Sequence, residues 1–151
     1  MKNVQEIKNK LYETCLLFVE EKHNTVTSII ESNKKALFSE TKSSAGDKHE
    51  TGRAMLQLEM EKASQQIAVI TEMIEVLDKI EAQKTSKSIC LGSLIKTTNA
   101  NYYLAISVGE ITINSVNFYA VSTNSPIGKQ LLGKSIGAVI PFNEAKILEI
   151  Y

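Results

Sequence analysis

The chain predicts an α+β protein in two parts: an N-terminal antiparallel coiled-coil helical hairpin over residues 1–84, and a small, mostly antiparallel sheet domain with one short helix over residues 85–151. Three observations predict it. From Leu56 the apolar residues Leu56, Met60, Ala63, Ile67, Ile70, Ile74 and Leu77 recur at alternating steps of four and three, the spacing of a heptad seam. Before residue 92 there is no proline, and the only glycines are Gly46 and Gly52, so the chain has one natural place to turn. Beyond Thr85 the pattern changes to period-two and β-branched runs, the signal of strands.

The first helix follows from Val4, Ile7, Leu11, Cys15, Phe18, Val26, Ile29 or Ile30, and Leu37, which recur at three- and four-residue steps with polar breaks around Glu21 to Asn24. The second spans roughly Glu50 to Ala82, with Glu59, Glu61, Lys62, Gln65, Gln66, Glu72, Glu75, Asp78 and Lys79 on its polar side. A helix of roughly 35 residues is about 50 Å long, so this pairing predicts a finger reaching well beyond a compact domain. Strands are expected over Ser88–Ile95, Tyr102–Val108, Ile111–Ile113, Val116–Ser122 and Ala145–Ile150. Ser125-Pro126 reads as an N-cap followed by proline at the first helical position, and Gly133 ends a short helix over Pro126–Leu132.

With 151 residues and 43% apolar content, the chain can fold without disulfides. Lysine plus arginine and aspartate plus glutamate balance at 17 each, which argues against wholesale wrapping of nucleic acid and leaves room only for local contact. No segment approaches the run of about 20 apolar residues of a membrane span, so no membrane partner and a cytoplasmic address are expected. Cys15 and Cys90 have neither zinc-site spacing nor a basic setting, and both read as small buried apolar residues. Tyr102, Tyr103, Phe118 and Tyr119 read mostly as core or sheet-face residues.

The candidate chemistry lies at Gly46-Asp-Lys-His-Glu50, read as a short acidic turn at the hairpin tip. Asp47 and Glu50 are three residues apart, a spacing that puts both carboxylates on one helix face, where they can share a divalent cation. The bland reading is that Asp47 caps the second helix and Glu50 suits its dipole. Lys34, Lys35, Lys42, Lys48 and Arg53 form either a basic stripe suited to phosphates or an ordinary solvated face.

A long helical hairpin, a Gly-Asp-x-x-Glu turn and a sheet domain carrying Ser-Pro-Ile-Gly-Lys-Gln-Leu-Leu-Gly-Lys-Ser-Ile-Gly over residues 125–137 together resemble the Gre family of bacterial transcript-cleavage factors, over almost the whole chain. The resemblance implies an FKBP-like C-terminal domain that docks on RNA polymerase, partly through Ser125, Pro126, Ile127 and Gly128. It implies a hairpin that enters the secondary channel and a monomeric accessory factor that is not itself an enzyme. It further implies that Asp47 and Glu50 help hold a Mg²⁺ shared with the polymerase, which hydrolyses backtracked RNA, with Lys42, Lys48 and Arg53 near that RNA. The tip departs from the family after Glu50, where Thr51, Gly52, Arg53 and Ala54 replace a continuation close to Asn-Ala-Glu-Tyr. The alternatives are a channel-occupying regulator without cleavage activity, an FKBP-like chaperone or isomerase, and a coiled-coil module that dimerises through its seam.

Overall fold

The structure, a computed structural model, describes residues 3–41, 47–81 and 83–151, at residues 40, 41 and 47–49 by backbone alone. Two long helices, α1 (Val4–Thr41) and α2 (Asp47–Asp78), precede a five-stranded sheet with a short helix, so the fold is α+β. The strands are β1 (Leu94–Thr97), β2 (Asn101–Ala105), β3 (Gly109–Ile113), β4 (Val116–Ser122) and β5 (Ile147–Ile150), and α3 (Pro126–Leu131) follows β4. By contacts the chain forms two units, residues 1–18 with 74–151, and residues 19–73. No helix among the described residues is long and apolar enough to cross a membrane.

Mid-helix hydroxyls are absorbed locally: Thr14, Thr25, Ser64 and Thr71 each donate to the carbonyl four residues back at 2.7–2.9 Å. On α2 the heptad pattern buries one residue in seven, Ala63, Ile70 and Leu77, whereas Met60 and Ile67 are half-buried and Ile74 is 39% exposed. A pair of helices shields only a narrow seam, so residues beside it stay partly open to water. In residues 19–73 the facing positions on α1 are Val19, Val26 and Asn33, again seven apart and buried. Helix α2 ends before the expected Ala82, itself outside the described residues. Its last turn tightens as Lys79 N–H donates to Val76 O and Ile80 N–H to Leu77 O.

In the unit of residues 1–18 and 74–151, the strand order is β3-β4-β2-β1-β5. Three pairings are antiparallel, and the fourth, between the central strand β2 and β4, is parallel, aligning Tyr102 with Tyr119 and Tyr103 with Ala120. Strand β2 is buried on both faces, which the alternation of side chains divides between two cores. Tyr102 and Leu104 join Ile89, Ile95, Leu131, Ile140 and Ile147 on the α3 side. Tyr103, Leu94, Phe118 and Ala120 share the other face by register, where Tyr103 lies near Cys15 and Tyr12 of α1. The start of α1 is tied there to the end of α2 and to the segment after it: the Tyr12 hydroxyl donates to Leu77 O at 3.2 Å, and Lys8 Nζ donates to Lys84 O at 3.3 Å.

The expected strand over Ser88–Ile95 forms only from Leu94. Cys90 N–H donates to Ser93 Oγ at 3.0 Å, and Gly92 turns at φ +89°, a conformation open to glycine, so the chain bends before the ladder begins. Among the four aromatic residues read mostly as core or sheet-face, Tyr102, Tyr103 and Phe118 are buried, while Tyr119 is 36% exposed and its ring centroid lies 6.1 Å from that of Tyr102.

Candidate functional site

Residues 47–50 are the first turn of α2, not a separate turn, so the acidic motif is helical from Asp47 onward. Gly46 and Lys42 lie outside the described residues, and Asp47 and Lys48 are placed by backbone only. The helix sets Glu50 three residues after Asp47, adjacent on one face, and Glu50, Arg53 and Ala54 are exposed. Carboxylate oxygens are the donors Mg²⁺ takes, and two of them fill only part of an octahedral shell, which fits a cation shared with another molecule. Among the described residues, no group of three or more His, Cys, Asp or Glu side chains could hold a metal ion. Of the proposed basic stripe, Lys34, Lys35 and Arg53 are exposed.

The segment from Ser125 is built from the cap upward. Ser125 is the N-cap at φ −70° and ψ 157°, and its Oγ accepts from Gly128 N–H at 3.0 Å while donating to Ser122 O at 2.6 Å. Pro126 occupies the start of α3, where its missing N–H is harmless. Ile127 packs against the α3-side core, and Gly128 is buried, with Ser122 O so near that a Cβ on Gly128 would lie 1.8 Å from it. Just beyond α3, Gly133 N–H donates to Ile89 O at 2.8 Å, and within α3 Gln130 Oε1 accepts from Phe142 N–H at 2.8 Å. Of the four residues expected to dock, only Pro126 is exposed.

The same region carries exposed apolar residues that pattern reading missed: Leu132, Ile136, Val139 and Phe142, the last 68% exposed. Their neighbours Leu131 and Ile140 are fully buried, and hydrophobicity alone does not separate the two sets in a chain that turns this often. The cysteines have no disulfide; Cys15 is buried, and burial pushes its thiol up to about 11, while Cys90 is half-buried. Burial also raises the Tyr103 hydroxyl and lowers the Lys8 ammonium.

No protein-family model matches this chain, and no curated protein matches it.

Proposed function

We propose that this chain is a Gre-like transcription elongation factor that binds RNA polymerase, inserts its hairpin into the secondary channel and stimulates cleavage of backtracked RNA. The observation that carries the reading is the combination of a two-helix hairpin whose second helix opens with Asp47 and Glu50 and a sheet domain bearing the Ser125–Gly137 segment. In this reading Asp47 is a ligand and Glu50 a second ligand or the group that orients the attacking water. A Mg²⁺ held jointly with the polymerase would supply water activation and charge neutralisation at the phosphodiester. The polymerase remains the enzyme, and the address is the cytoplasm. The FKBP-like domain would dock on the polymerase, with Pro126 as the exposed member of its expected contact set.

A second reading is favoured by one observation: Arg53 and Ala54, exposed just past Glu50, stand where the resembling family carries an acid and an aromatic. There the factor occupies the channel and regulates the polymerase without promoting cleavage. RNA cleavage in a stalled, backtracked elongation complex separates the readings. Stimulation by the wild type, lost in Asp47→Ala/Glu50→Ala with binding intact, supports a cleavage factor. Binding without stimulation supports the regulator, and absence of binding overturns both.

A further inference from the structure

We propose that the hairpin face bearing Asn33 binds a second copy of this chain. Within residues 19–73 an open groove of about 590 Å³ runs beside the seam, lined by Asn33 and Ser32 of α1 and by Glu59, Lys62 and Ala63 of α2. Asn33 occupies a seam position, is only 7% exposed, and its Nδ2 has no hydrogen-bond partner. A buried donor left unmade is costly, and a polar residue at a seam position commonly records a pairing made with another helix. Asn33 is among the residues that line the groove, and turning its carboxamide about χ2 is the movement that would offer Nδ2 to an acceptor placed there. Ala63, small and 2% exposed, leaves the room.

The surface around the groove is long, not compact. Met55 and Leu58 precede Lys62 by seven and four positions, and Val69 follows it by seven, so all three line up with it along α2. They are 61%, 66% and 51% exposed. An extended apolar row beside a groove suits another helix better than a small ligand. Charge then selects the occupant: Glu59 and Lys62, of opposite sign and three residues apart on the rim, present a self-complementary pair. A two-fold axis sets Glu59 of each copy against Lys62 of the other and brings two Asn33 carboxamides face to face, each able to donate to and accept from its twin.

This dimer does not rest on the polymerase reading, and the two are tested separately. On that reading it would be a withheld form, its hairpin too broad for a channel. Sedimentation of the full-length chain over a concentration series tests the proposal. The wild type is expected to dimerise reversibly, and Glu59→Lys or Lys62→Glu alone to raise the dissociation constant about tenfold or more by setting like charges together. Combining Glu59→Lys with Lys62→Glu restores complementarity and is expected to recover the dimer. Circular dichroism checks that each variant keeps its helices. A wild type monomeric at every concentration, as a heterologous partner or small ligand in the groove would leave it, overturns the proposal. So does a dimer indifferent to the single reversals, or a double variant no better than the singles.

Discussion

Gly128→Ala is the sharpest test of how the α3 segment is held. The new Cβ would lie 1.8 Å from Ser122 O, 2.8 Å from the carbon of that carbonyl and 2.9 Å from Ser125 Oγ. Two of the three obstacles are backbone, so the clash cannot be relieved by rotating a flexible side chain. Ser122 O is also the acceptor for Ser125 N–H at 3.1 Å and Ser125 Oγ at 2.6 Å. Moving it away endangers both bonds, at about 1 kcal/mol each, and the cap to Gly128 N–H, at about another 1 kcal/mol. Alanine returns about 1 kcal/mol of helix propensity, while residual overpacking costs at least about 1 kcal/mol. The net loss is about 3 kcal/mol, or roughly 6–12 °C in melting temperature for a chain of this size. The assay is favourable because all five tyrosines, at positions 12, 102, 103, 119 and 151, fall in the unit of residues 1–18 and 74–151. Near-ultraviolet tyrosine dichroism therefore follows that unit without interference from the rest of the hairpin. A melting temperature within experimental error of wild type would refute the close approach of Gly128 to Ser122.

Cys15 and Cys90 should differ under a thiol reagent at mild pH: Cys90 reacts in the native protein, and Cys15 only at the rate of unfolding. Burial raises the Cys15 thiol from 9.0 to about 11, so the fold holds its proton more tightly than the unfolded chain does. That contribution is present below pH 9 and is lost between 9 and 11, about 2.7 kcal/mol for a shift of about two units. Stability over that interval should fall less steeply in Cys15→Val, and an unchanged slope would count against the burial. Tyr12→Phe removes the bond to Leu77 O and should lower the tyrosine-monitored melting temperature by about 2–4 °C, for a loss of about 1 kcal/mol. An unchanged melt would mean that the bond contributes nothing.

Both helices, the cap at Ser125 and most strands were legible because each rests on local signals: three- and four-residue periodicity, a serine before a proline, and β-branched alternation. The parallel pairing of β2 with β4 was not, since strand order is decided by which faces bury together. The turn at Gly92 was hidden inside an apolar run. Asn33 escaped notice because the α1 pattern steps from Ile29 or Ile30 to Leu37 across it, while the structure buries Asn33 and leaves Ile29 41% exposed. At the candidate site, the spacing of Asp47 and Glu50 was readable, and a helix beginning at Asp47 keeps them one turn apart.

The Ser125–Gly137 segment combines two kinds of position, and they bear differently on function. Ser125 and Gly128 close the start of α3, Leu131 is fully buried, and Gly133 ties the segment to Ile89, so these residues would be required by the fold whatever the domain binds. Pro126, Lys129, Leu132, Lys134 and Ile136 face solvent, and the fold alone asks little of them. On the proposed reading as a polymerase-binding factor, a substitution in the first set that abolished binding would report unfolding as readily as a lost contact. The discriminating substitutions are in the second set: Leu132→Ser or Ile136→Ser should leave the tyrosine melt within about 2 °C of wild type, as exposed positions do. If the proposed polymerase binding is found in the wild type and such a variant loses it while keeping its stability, docking belongs to the exposed apolar residues beside α3, and the capped turn that carries the sequence resemblance is their scaffold.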